Sequence, residues 1–292
     1  MLYLESFYLA SADNEDSFVL SYPYQLEMQC YTHNVYPFKI FPQKKLRQLE
    51  FAPVTILYGG NGSGKSTLLN IIAEKLRLER SAPFNNTPYF EDYLRYCRPV
   101  FEKGTSVPIG SKLISSDDVF DMLLDIRAIN EGVSDRREKL FEEYYKNKNT
   151  AYSFKSLDDY DALKLSNEAK RHSKSEYVSK RLPKEVSVGS NGESAFSYFA
   201  HEIGEGALYL LDEPENSLSV KLQRDLCELL QNSARFFGCQ LVIATHSPIL
   251  LSMKGAKIYD LDSVPVSEKK WTELPNIREW FEFFETHRES FL

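Results

Sequence analysis

Apolar runs that stop abruptly at polar residues recur along this chain of 292 residues. Val54-Thr55-Ile56-Leu57-Tyr58 reads as a buried strand, and the segment Thr67 to Leu76 reads as a helix. Ala207-Leu208-Tyr209-Leu210-Leu211 and Leu241-Val242-Ile243-Ala244 read as two further strands, apolar enough to lie inside a parallel sheet covered on both faces. Residues 1–58 read as several strands, with Leu2 to Leu9 and Phe38 to Phe41 the clearest. Asn85-Asn86-Thr87-Pro88 marks a turn, Ser115-Ser116-Asp117-Asp118 caps a helix over Val119 to Ile129, and another helical run starts near Ser194. No internal repeat is visible.

The polar residues at the ends of these runs carry the chemistry. Between the first strand and its helix lies Gly59-Gly60-Asn61-Gly62-Ser63-Gly64-Lys65-Ser66, which fits G-x-x-x-x-G-K-[ST] at every specified position. Its glycines let consecutive N–H groups turn inward as an anion nest, and the following helix points its positive end at the same place. Such a loop predicts a nucleoside triphosphate held by Gly59, Gly60, Asn61, Gly62, Ser63, Gly64, Lys65, Ser66 and Thr67, with Lys65 on the terminal phosphates and Ser66 on Mg²⁺. The second apolar strand ends in Asp212-Glu213-Pro214. Asp212 is expected to hold Mg²⁺ with Ser66, and Glu213 to deprotonate the attacking water. The third ends in Thr245-His246-Ser247-Pro248, where His246 could donate a hydrogen bond to the γ-phosphate. Ser190-Asn191-Gly192-Glu193, ahead of the helical run, has the parts of an anion site and also those of an ordinary helix cap.

In order and spacing these motifs resemble the ATP-binding-cassette class of ATPases, within it the soluble heads of RecF and structural-maintenance type. A D-loop-like Asn216-Ser217-Leu218-Ser219 completes the set. The phrases Asp-Glu-Pro-Glu-Asn-Ser-Leu-Ser and Thr-His-Ser-Pro resemble AAA-labelled bacterial ATPases found beside nucleases in anti-phage systems. The resemblance implies a P-loop NTPase of α/β class, with a mainly parallel mixed sheet, an antiparallel N-terminal flap and a helical signature lobe at about 83–190, all within one ATPase domain of residues 1–292. It implies ATP and Mg²⁺ as ligands, with Lys65, Glu213 and His246 in catalysis. It also implies a head-to-tail homodimer in which Ser190, Gly192 and Glu193 of one copy face the nucleotide of the other. The output would be an ATP-dependent dimeric switch acting on a separate effector protein such as a nuclease. The ATP-hydrolysing subunit of an ABC transporter is the alternative.

Three positions depart from the pattern. No Gln occurs between Gln48 and Gln223, so the family's metal-side Gln is missing, and Asn85, Asn86 or the Asp117-Asp118 pair must serve in its place. Glu193 stands where transporters carry Gln, and Ser219 where Asp is common. Tyr36 or Phe38 could stack on adenine.

Composition narrows the reading further. Residues 136–184 carry 13 Lys and Arg against 8 Asp and Glu, in a chain whose net charge is −7. Lys164, Lys170, Arg171, Lys174, Lys180, Arg181 and Lys184 therefore form either a DNA- or RNA-tracking stripe or a solvated helix face. Cys30, Cys97, Cys227 and Cys239 have no metal-ligand spacing and read as core thiols of a reducing compartment. No segment approaches a membrane span, so a cytoplasmic protein without membrane insertion is expected. The scattered histidines His33, His172, His201, His246 and His287 offer no nuclease-like pairing. Asn147-Lys148-Asn149-Thr150 lacks the Asp of a guanine-reading motif, which favours ATP over GTP. In the tail, Trp280, Phe281, Phe283 and Phe284 cannot all face one narrow stripe, so they are either a partner surface or a packing helix.

Overall fold

A computed structural model describes residues 1–21, 35–149, 165, 168, 171, 174–179, 181 and 190–292. The chain divides into two compact units, Met1–Val119 with Asn191–Leu292, and Phe120–Ser190. The lobe expected at about 83–190 starts earlier in the chain than this second unit. Residues 83–119 instead supply a helix, Phe90–Tyr96, and two strands of the first unit, β4 (Arg98–Phe101) and β5 (Lys112–Ser115).

Among the described residues nine strands build the first unit. The others are β1 (Leu4–Tyr8), β2 (Gln48–Glu50), β3 (Val54–Tyr58), β6 (Leu208–Asp212), β7 (Gln240–Ala244), β8 (Lys257–Asp260) and β9 (Ser267–Glu268). Six of them form one sheet in the order β5-β6-β7-β3-β8-β9, parallel except for β9 at the edge. β3 and β7 are buried at every position, as expected of parallel strands covered on both faces. The expected N-terminal flap is a second, antiparallel sheet, β2-β1-β4. Its third strand comes from beyond the phosphate-loop helix, a pairing that periodicity cannot reveal.

Gln240 joins the two sheets. Fully buried, it accepts the Tyr3 and Leu4 N–H groups on Oε1 at 2.9 and 2.8 Å and donates from Nε2 to Leu4 O at 2.8 Å. Removing it would leave buried backbone groups of β1 without partners.

The register of the large sheet fixes the site. Asp212 lies opposite Ala244, and Ala244 opposite Leu57. Parallel strands in this register end together, so the segments after β3, β6 and β7 leave the sheet at one edge, where open α/β sheets place ligands. Ser115, at the end of β5, lies opposite Asp212 and joins them.

Phe38 to Phe41 is not a strand. The segment is a tight turn with Lys39 at φ +68°, and Phe38 and Phe41 point inward, 3% and 0% exposed. Phe38 stacks face to face on Phe18 with centroids 4.3 Å apart, so it belongs to the core and is not free to hold adenine. The helix expected over Val119 to Ile129 runs from Ser116 to Asn149. Its start is a reciprocal capping box: Ser115 Oγ accepts the Asp118 N–H, and Asp118 Oδ2 accepts the Ser115 N–H at 2.6 Å.

In the second unit a small core forms from Leu140, Tyr144, Tyr177 and Val178. Of the basic stripe, Lys164, Lys170, Lys180 and Lys184 lie outside the described residues. Lys174 sits over the Phe141 ring, and Arg181 stacks on Tyr177 and pairs with Glu168. Cys97, Cys227 and Cys239 are buried free thiols, while Cys30, His33 and His172 lie outside the described residues. The C-terminal helix Pro275–Thr286 buries only Ile277 and leaves Trp280, Phe281, Phe283 and Phe284 exposed, at 47–62%. Among the described residues nothing buries these four rings.

Candidate functional site

Gly59 to Ser66 links β3 to the helix Lys65–Leu76. Gly64, at the helix N-cap, has φ +95° and lies against Ile40 and Phe41, so a side chain here would be strained. A Cβ on Gly59 would fall 2.5 Å from Ser63 Oγ, which makes that position sterically closed to any other residue. The loop and Glu213 line a cavity of about 250 Å³. Lys65 is buried beneath it and donates to Gly59 O at 2.7 Å and Gly60 O at 3.1 Å, with Glu213 Oε1 3.6 Å away.

Glu213 has φ +47°, a left-handed backbone rare for a residue with a side chain. Its N–H nevertheless continues the sheet by donating to Ala244 O at 2.9 Å. The result is a carboxylate turned out of the sheet edge toward Lys65 and toward His246, whose Nδ1 is 3.9 Å from Glu213 Oε1.

Asp212 and Ser66 are the residues expected to hold the metal. The Ser66 hydroxyl bonds to the Asp212 carboxylate, whose Oδ1 is buried with no hydrogen-bond partner. Burial pushes this carboxyl up to about 6; the Ser66 bond opposes the rise and the Glu213 charge adds to it. An orphaned carboxylate oxygen beside a hydroxyl is a donor set that suits a hard divalent cation, so these residues fit Mg²⁺. Both also line a second cavity of about 470 Å³, with Tyr36, Thr67, Asn70, Arg80, Asn85 and Asp117 among its walls. The two acids of the 117–118 pair are therefore separated in role. Asp117 lines the cavity beside Ser66 and Asp212, whereas Asp118 is buried as the helix cap and also accepts the Ala82 N–H. Tyr36 lines the same cavity and donates to Thr67 Oγ1 at 3.2 Å.

Ser190, Asn191, Gly192 and Glu193 lie at the start of the helix Asn191–Glu202, and Ser190, Asn191 and Glu193 are exposed. A Cβ on Gly192 would meet Ser217 O and Leu222 Cδ1 at 3.0 Å, so the helix Asn191–Glu202 packs closely on the turn that contains Ser217. Ser219, unusual at the end of that turn, caps the helix Val220–Phe236 by accepting the Leu222 N–H.

Two acids were missed. Glu215 is buried behind the turn after β6 and gathers hydrogen bonds from the segment after β7. Asp262 accepts the Gly60 N–H at 2.7 Å, tying the first half of the phosphate loop to the end of β8. The signal for Asp262 was present: Ile258-Tyr259 is another apolar strand ending in acids. Among the described residues no group of three or more His, Cys, Asp or Glu could hold a metal on its own, and no helix is long and apolar enough to cross a membrane.

Residues 186–252 match the family described as "AAA domain, putative AbiEii toxin, Type IV TA system". No curated protein matches the chain in sequence. Solved structures similar to it include a proposed metal-chelate type ABC transporter in an inward-facing conformation (16% identity over 98% of this chain and 90% of the other, TM-score 0.39). Others are the cbiO1 protein of Clostridium perfringens, part of the ABC transporter complex cbiONQ (15%, 82% and 86%, TM-score 0.37), and the ATP-binding cassette MJ0796 as a dimer bound to ADP and Pi (14%, 78% and 90%, TM-score 0.35). The fold is that of a P-loop NTPase, with a mainly parallel sheet and an antiparallel flap. The phosphate loop, the aligned strand ends and the AAA-domain match over residues 186–252 support a P-loop NTPase.

Proposed function

We propose that this cassette-like head binds and hydrolyses ATP as a head-to-tail homodimer and that its ATP-bound form engages a separate effector protein. One observation carries the reading: Lys65, Glu213 and His246, far apart in sequence, converge at one sheet edge with Glu213 3.6 Å from Lys65 Nζ and 3.9 Å from His246 Nδ1. Lys65 and the loop N–H groups would hold the triphosphate. Glu213 is placed to take a proton from the attacking water, as phosphoryl transfer asks of a carboxylate at this edge. Ser66 and Asp212 would hold Mg²⁺, which when bound neutralises charge on the β- and γ-oxygens. Asp117, on the wall shared with Ser66 and Asp212, is the candidate to serve where the family's Gln is missing.

The exposed signature residues support the dimer. A second copy would bring Ser190, Gly192 and Glu193 to the nucleotide of the first, and by symmetry the first would do the same for the second. The effector follows from the resemblance to ATPases of bacterial defence systems, with which the match to a toxin–antitoxin family agrees. The test is phosphate release by the purified chain. Hydrolysis of ATP that requires Mg²⁺ and is abolished in Lys65→Ala supports the reading; release equal in that variant or in chelator counts against it.

A further inference from the structure

Glu215 is a buried carboxylate for which the hydrolysis just described has no use. It is 5% exposed, although Asn216 and Ser217 beside it reach the surface. A carboxylate taken out of water needs donors around it. Oε1 collects three of them, the Thr245 hydroxyl at 2.6 Å, the His246 N–H at 3.0 Å and the Ser247 N–H at 3.2 Å. All three belong to the segment that leaves β7. The same oxygen lies 3.5 Å from His246 Nδ1, too far for a good hydrogen bond but close enough for its charge to favour a proton on that nitrogen. Glu213 Oε1 adds a second carboxylate 3.9 Å from Nδ1. The far end of the segment is held as well: Ser247 Oγ donates to Gln223 Oε1 at 2.7 Å, and Gln223 Nε2 to Leu218 O at 3.0 Å.

We propose that Glu215 is the positioning residue of His246, holding its backbone in place and fixing the neutral ring as the Nδ1–H tautomer. The proposal rests on the reading of His246 as a residue of the ATP site. An imidazole protonated on Nδ1 has a bare Nε2 that accepts a hydrogen bond and cannot give one. Phosphate oxygens also only accept. The neutral ring is therefore matched to a proton of the attacking water, beside Glu213, and not to an oxygen of the γ-phosphate. On this proposal His246 accepts a hydrogen bond where the sequence reading has it donate one.

The experiment is a nitrogen–proton correlation spectrum of the imidazoles in the full chain at alkaline pH, with the His246 signals identified by their loss in His246→Gln. The expected wild-type pattern is a protonated Nδ1 and a bare Nε2. Glu215→Gln keeps an oxygen for the three donors but removes the charge, so the ring should shift toward Nε2–H. With it, kcat should fall about tenfold or more while KM for ATP stays within about twofold, the split expected when a group acts in the transition state and not in binding. Glu215→Asp, whose shorter carboxylate withdraws from Nδ1, should move the tautomer in the same direction and serves if the first variant does not fold. A wild-type ring protonated on Nε2, or a tautomer unchanged in both variants, overturns the proposal. A wild type that shows the expected tautomer, with the expected shift in the variants, but hydrolyses no ATP upholds the positioning and overturns the ATPase reading instead.

Discussion

Lys65 Nζ lies 3.6 Å from Glu213 Oε1, so the cation suited to phosphates and the carboxylate suited to water share one cavity. Lys65 is 4% exposed, and its other two contacts are the carbonyls of Gly59 and Gly60. A triphosphate in the loop would take over this cation through charge-assisted bonds worth about 1.5–3 kcal/mol. Lys65→Ala should therefore weaken ATP binding roughly tenfold to a hundredfold by calorimetry. Unchanged affinity would remove Lys65 from the site.

Ser190→Arg separates binding from association. Ser190 is exposed at the start of the signature helix and lines neither cavity beside the phosphate loop, so single-chain affinity for ATP should stay within about twofold, as for an exposed position. Bulk and charge in the seam should abolish the ATP-driven dimer on sizing. A dimer that forms as readily as in the wild type would show that the signature residues are not at the seam.

Glu15 should make stability depend on pH. Burial pushes its carboxyl up to about 7 from an ordinary 4.5; the bond from the Lys39 N–H opposes this and the Asp16 charge adds to it. Between those two values the folded chain binds more protons than the unfolded one, so stability falls as pH rises through the window. Glu15→Gln removes this dependence. It should be the more stable protein above pH 7 by about 3 kcal/mol, with the advantage vanishing below about pH 4.5. Denaturant midpoints across pH check it, and parallel curves for the two proteins would refute it.

Gln240→Ala should destabilise the fold by about 3 kcal/mol, because it leaves the Tyr3 N–H and Leu4 groups at the sheet junction without their side-chain partner. Chemical denaturation reads the loss directly. A change below about 0.5 kcal/mol, the range of ordinary surface substitutions, would mean the two sheets do not depend on this residue.

Much of the site was legible because its residues punctuate apolar strands. Gly59, Asp212 and His246 each follow such a run, and parallel pairing in register then brings the three ends to one edge. What was not legible depends on contacts across the fold. β4 pairs with β1 over a separation that periodicity does not encode. Phe38 and Phe41 have strand-like composition, yet Lys39 at φ +68° turns the chain and buries both rings. Glu215 was visible only as one letter of a phrase. Its meaning lies in Thr245, His246 and Ser247, three donors supplied by another strand's exit.

Glu213→Gln bears most directly on the ATPase switch. The amide keeps the size and shape of the side chain but cannot take a proton from water, so hydrolysis should fall by about 10²–10⁴ while Lys65 and the loop still bind ATP. A ligand that binds only the dimer then stabilises it by mass action. The measurement is mass by light scattering on sizing, with Mg²⁺-ATP and without. We expect a nucleotide-loaded dimer with Mg²⁺-ATP and a monomer without it; a variant that hydrolyses ATP at the wild-type rate, or stays monomeric with ATP bound, would contradict the reading of this protein as an ATP-driven dimeric switch.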